Sequence, residues 1–176
     1  MHDHVRDGAF PRLEVDPQHI ESSFKNDLFG LIMIKLLASS SIVDNALAYA
    51  RSHKLAPLTV AVLDARGCTI MLKAEDGSSL LRPEIAQGKA WGALGMGVGT
   101  RSLASRAEKL PAFFNTLAAL SGGRIVPVPG GVLILSSDRE VLGACGASGD
   151  TADNDEACVV AAIESAGFVA DPGKSH

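Results

Sequence analysis

Two pairs of short apolar runs, each closed by a turn too short to hold a helix, constrain this chain most. Leu58–Asp64 (LTVAVLD) runs into Asp64-Ala65-Arg66-Gly67 and returns as Cys68–Ala74 (CTIMLKA). Asp first and Gly fourth is the preference of a tight turn, so the pair reads as a hairpin. Val132–Ser136 (VLILS) likewise passes through Ser137–Glu140 into Val141–Ala147 (VLGACGA). A further run, Arg124–Val128, is expected as an edge strand, because Pro127 has no N–H to give a ladder. Hairpin connections make the sheet antiparallel, with about five strands. The strands are too continuously apolar to leave either face wet, so helices must cover both. The expected fold is an α/β sandwich of the α+β kind.

The helices follow from caps and spacing. Ser39, Ser40 and Ser41 offer an N-cap, and Ile42, Ala46, Leu47 and Ala50 recur at helical intervals, predicting a helix over Ser41–His53. Pro83 suits a first helical turn and Glu84 suits the dipole there, predicting a helix from Pro83 to about Met96. Thr100–Lys109, with Thr100 as cap, and Pro111–Leu120 are expected as two further helical pieces. Asp153 and Glu156 have capping-box spacing at the start of a last helix, which Gly167 closes. Residues 1–37 read as a partly ordered N-terminal extension, 38–168 as the domain and 169–176 as a tail. Leu28–Leu37 shows no clear period and fits a strand or a helix.

Composition narrows the function. Apolar residues make up 47% of the chain and aromatic ones 5%, so the core is built from Ala, Val, Leu and Ile. A net charge of -4 without a Lys/Arg cluster argues against nucleic acid. Leu28–Ala38 is interrupted by Gly30 and Lys35 and is too short to span a bilayer, and the first residues lack the apolar core of a signal peptide. Cys68, Cys145 and Cys158 show no CxxC spacing and read as buried reduced thiols of a cytoplasmic protein, with a metal or nucleophile role the alternative. His2 and His4 lack a third nearby ligand, so no metal site is expected.

Taken in order, PLTVAVLDARGCTIMLKAEDG (57–77), PEIAQGKAWGALGMG (83–97), VPGGVLIL (128–135) and VLGACGASGDTADNDEACVVAA (141–162) make the chain resemble the GlcG/HbpS-like, heme-degrading family. That family includes the C-terminal domain of PduO-type proteins. The resemblance implies an antiparallel sheet with helices on both sides, a symmetric homo-oligomer, and heme or a corrinoid as ligand. Heme iron is held by an axial His, Cys, Met or Tyr. Within the matched stretch His53 is the only histidine and Tyr49 the only tyrosine.

Candidate site residues fall into two groups. Glu84 and Lys89 match the family's helix pattern: either they are a capping acid and a surface lysine, or Lys89 binds a carboxylate while Glu84 moves a proton. Asp150, Asp153, Asp155 and Glu156 gather at a helix start, where they serve capping, or else bind a metal through carboxylate oxygens or supply a general base at Asp155. Asp64, the Gly130-Gly131 turn, Ser148 and Gly149 are the candidate ligand-binding positions; glycine corners either expose backbone N–H groups or simply let the chain turn. Phe113 and Phe114 are core or interface filler, or an apolar wall for a flat ligand. Two functions result: a small-ligand-binding protein with a tetrapyrrole as family-implied ligand, or an enzyme of carboxylate or aromatic catabolism using Glu84, Lys89 and Asp155. A scaffold or sensor accessory is a third.

Overall fold

The structure is a computed structural model and describes residues 33–175. Helix α1 (Leu36–Ser52) leads into the hairpin β1 (Thr59–Asp64) and β2 (Thr69–Ala74). Helices α2 (Arg82–Met96), α3 (Thr100–Lys109) and α4 (Pro111–Leu120) follow. The second hairpin is β3 (Gly131–Leu135) and β4 (Val141–Ser148); α5 (Ala152–Ser165) and β5 (Val169–Asp171) complete the fold. The five strands pair antiparallel in the order β2-β1-β4-β3-β5.

Strand alternation builds two unlike cores. Val60 and Val62 of β1, Val132 and Ile134 of β3, and Cys145 and Ala147 of β4 face α1 and α5. There they meet Ile42, Val43, Ala46, Val159 and Ile163. The alternate residues Ala61, Leu63, Leu133, Leu135 and Ala144 face Ala86, Ala90 and Ala93 of α2. Where the alanines of α2 meet Ala61, Ala144 and Gly146, small residues face small residues. A Cβ on Gly146 would run into the backbone of Ala86, so α2 rests directly on β4. The Gly- and Ala-rich composition of α2, costly for an isolated helix, is what permits that approach.

Several local expectations are corrected. Helix α1 starts at Leu36, not Ser41, with Lys35 at its N-cap position. The serines lie inside the helix, and Ser39 donates its hydroxyl to the Lys35 carbonyl at 2.9 Å rather than capping. Thr100 is not a cap either; Gly99 holds that position. At α5 the cap is Thr151, which accepts the Asn154 N–H at 3.3 Å. Asp153 and Glu156 do not form a capping box, because both carboxylates are taken by Arg101 at 2.6 and 2.7 Å.

Arg124–Val128 is not a strand. It lies along α2, with the Val126 N–H donating to the Gly88 carbonyl at 3.3 Å. The fifth strand is β5, within the segment read as a tail, paired through Leu133–Asp171, Ile134–Ala170 and Leu135–Val169. Cys68 is exposed, whereas Cys145 and Cys158 are buried. The readings for residues 1–32, including His2, His4, His19 and most of the Leu28–Leu37 run, lie outside the described residues.

Candidate functional site

The sequence candidates separate into a buried cluster and an open cleft. In the cluster, Lys89 of α2 and Asp155 of α5 form an ion pair at 2.7 Å, with side chains only 3% and 2% exposed. The ammonium also donates to the Ala147 carbonyl at 2.9 Å. The other carboxylate oxygen of Asp155 accepts the Asp150 N–H at 3.1 Å. Burial pulls the Lys89 amine below its ordinary value and pushes the Asp155 carboxyl above its own, while their mutual attraction opposes both shifts. The pair joins helices from opposite faces of the sheet.

The glycine corner lies over this pair. Gly130 has φ +113°, and a Cβ there would sit 3.0 Å from both the Lys89 Nζ and the Asp155 Cβ. Gly131 packs on the Lys89 backbone and exchanges two hydrogen bonds with Thr100 Oγ1, at 2.8 and 3.1 Å. Ser148 is fully buried and 3.1 Å from an Arg82 nitrogen that donates to it. Gly149 abuts the Pro57 carbonyl. The lack of side chains at these corners is used up in close packing.

Asp64 is equally committed. Its carboxylate accepts the N–H groups of Arg66 (2.9 Å) and Cys68 (3.0 Å) and pairs with the Arg66 guanidinium at 2.8 Å. Burial alone would raise its pKa, but the Arg66 hydrogen bond and the two backbone donors outweigh that and hold it below the ordinary carboxylate value. In the acidic cluster Asp150 and Asp153 are similarly spent, whereas Glu156 pairs with Arg101 through Oε1 and leaves its Oε2 buried without a hydrogen-bond partner among the described residues. Asp150 accepts from the Ala56 and Thr151 N–H groups and the Asn154 amide, and the first of these chiefly lowers its pKa. No three His, Cys, Asp or Glu side chains converge as a metal site among the described residues.

A cleft of about 450 Å³ opens between the tip of the β1–β2 hairpin, one face of α2 and the loop after α4. Glu84, Gln87, Gly88 and Trp91 line it from α2, Thr69 from β2, and Gly122, Gly123 and Arg124 from the loop. Of the three candidate catalytic residues only Glu84 is there. Five residues on, Lys89 points inward, so the two do not share a pocket.

Cleft polarity is graded. Gln87 is fixed, accepting the Thr69 hydroxyl at 3.0 Å and donating to the Pro83 carbonyl at 3.2 Å. Trp91 tucks its indole edge under Gly67, where a Cβ would come within 3.1 Å of Nε1. Arg124 lies over the indole ring with its guanidinium carbon 4.3 Å from the centroid, a cation–π contact. Its Nε donates to the Ser121 carbonyl at 3.0 Å. Among the described residues, neither the terminal guanidinium nitrogens of Arg124 nor the Glu84 carboxylate has a hydrogen-bonding or ionic partner. The sequence reading missed Trp91, Gln87 and Arg124. One signal was available: 84, 87, 88 and 91 follow the i, i+3, i+4, i+7 spacing of one helix face, with the chain's single tryptophan at its end.

A family model described as "Haem degrading protein HbpS-like" matches residues 34–164. The chain belongs to this HbpS-like family. The sheet and its helical cover agree with solved structures. The Klebsiella pneumoniae protein ORFY is 24% identical, with TM-score 0.69 over 76% of this chain and 90% of its own. A complex of PduOC with heme is 22% identical, with TM-score 0.70 over 82% of this chain and 99% of its own. A double mutant of Streptomyces reticuli HbpS is 24% identical, with TM-score 0.66 over 76% of this chain and 86% of its own. No curated protein matches the chain.

The donors of the cleft fit heme only in part. A flat ring finds Trp91 and Arg124, and a carboxylate finds the Arg124 terminal nitrogens. Heme iron finds no His, Cys, Met or Tyr among the lining residues. His53 is exposed on α1, stacked on Tyr49 at 3.8 Å, with Nδ1 2.9 Å from the Tyr49 carbonyl. Cys145 and Cys158 are buried in the core; burial raises both thiols, Cys158 to about 12. No described helix is long and apolar enough to cross a membrane.

Proposed function

We propose that this protein binds a flat, carboxylate-bearing small molecule in the Trp91–Arg124 cleft, with heme or another tetrapyrrole as the ligand class. The observation that carries the reading is the Arg124 guanidinium: it lines the cleft, is held over an indole and tied at Nε to a backbone carbonyl, and its two terminal nitrogens have no partner among the described residues. A cleft of about 450 Å³ with one aromatic wall and a few polar groups is the form small-molecule sites take. Family membership and the PduOC–heme neighbour support the tetrapyrrole class.

Glu84, Gln87, Trp91 and Arg124 hold the ligand in this proposal. Lys89, Asp155, Asp64, Gly130, Gly131, Ser148 and Gly149 keep the walls in place. The enzymatic alternative retains Glu84 as its one acid in the cleft, because Lys89 and Asp155 are spent on each other. We also place a second copy of the chain against α4, where Leu110, Phe113 and Leu120 are 56%, 48% and 79% exposed. The free buried thiols Cys145 and Cys158 support a reducing, cytoplasmic setting.

Titration with hemin tests the ligand class. Expected are saturable quenching of the single tryptophan's fluorescence and a shifted, sharpened Soret band at one equivalent per chain. A linear, unsaturable response in both signals overturns the proposal.

A further inference from the structure

We infer that the cleft recognises the ring and its carboxylates and not the metal, so that metal-free porphyrins are ligands on a par with heme. This rests on the proposed reading of the cleft as the ligand site. Its basis is the donor set. Recognition of heme through iron needs a nitrogen, sulfur or phenolate donor aimed at the ring centre. The lining supplies instead an indole face, a guanidinium, an amide and one carboxylate, Glu84.

The soft and nitrogen donors of the described chain are elsewhere or engaged. Cys158 is fully buried and donates its thiol to the Ala46 carbonyl at 2.9 Å, and Cys145 is buried in the same core. His53 and Tyr49 are stacked on each other on α1, which packs on the opposite face of the sheet from α2. Cys68 is exposed in the hairpin loop; its neighbours Gly67 and Thr69 line the cleft and it does not. The cation with spare capacity, Arg124, suits a feature that a porphyrin has with or without its metal: the carboxylates at its edge. Stacking on Trp91 and Arg124 likewise depends on the π-face alone.

The experiment compares metal-free protoporphyrin and hemin on the full chain, following quenching of Trp91 and, for hemin, the Soret band. Equal recognition predicts dissociation constants within about threefold, and Cys68→Ser should leave both unchanged. Hemin binding at least tenfold tighter than the metal-free ring, or a Cys68→Ser variant that loses hemin alone, overturns this inference while leaving ligand binding in the cleft intact. If neither porphyrin binds, the proposed function itself falls, and this inference with it.

Discussion

Lys89 and Asp155 meet at 2.7 Å across the end of the sheet, each almost wholly removed from water. Their contact ties α2 to the N-terminus of α5, and Gly130 closes over it. Such a pair contributes little net stability against an apolar replacement, yet removing one member strands a buried charge. Lys89→Ala or Asp155→Ala should therefore cost about 3–5 kcal/mol. Lys89→Met combined with Asp155→Leu should cost less than the two single losses added. Urea denaturation of the three variants checks this; strictly additive losses would show that the pair is not coupled.

Close packing of α2 on β4 gives a second prediction. Gly146→Ala pushes a methyl into the Ala86 backbone, which no rotamer change can relieve. A cost of about 1–3 kcal/mol is expected, as for other overpacked sites. Thermal or urea melts measure it, and an unchanged midpoint would mean that α2 shifts freely on the sheet.

Acid should unfold the domain partly through Asp64. Its folded-state pKa lies below the ordinary value of 3.8, because the Arg66 hydrogen bond and two backbone donors outweigh its burial. The stabilisation is full above that value and is lost as the pH falls through the lowered one. Asp155 is shifted the opposite way by burial, so its proton uptake favours the folded state at higher pH, as the pH falls towards 3.8 and before the Asp64 contribution is lost. Asp64→Asn should thus be less stable than the parent at pH 7, with the gap closing as the pH falls below the ordinary value of 3.8. Urea midpoints across pH measure the gap; a constant one removes Asp64 from the account.

The apolar face of α4 predicts self-association. Phe113→Asp with Leu120→Asp should lower the solution mass without altering the circular dichroism spectrum. Light scattering reads the mass, and a parent chain already monomeric at tens of micromolar would refute the second copy.

The hairpins and α2 to α4 were legible in the sequence because their signals are local: a turn with Asp and Gly, a proline at a helix start, a proline break. Helix α1 began early because serines bond back to the preceding turn as well as cap, and spacing alone cannot distinguish the two. Strand β5 was missed because three residues carry no period, and its place depends on the partner β3. Lys89 and Asp155 were picked out as candidate catalytic residues, but only the fold shows that they are buried and pair with each other. The cleft was hidden for the same reason. Trp91 and Arg124 come from a helix and a distant loop, and Arg124 reaches the indole only because the 124–128 segment lies along α2 instead of joining the sheet.

The most direct measurement of the central claim is hemin affinity in the parent chain against Arg124→Ala, read by quenching of Trp91. Arg124 sits on an exposed loop, so the substitution should leave the fold intact. Loss of charge-assisted hydrogen bonds to a ligand carboxylate predicts roughly ten- to hundredfold weaker binding. Equal affinity in the two proteins would show that the ligand is held somewhere other than the Trp91–Arg124 cleft.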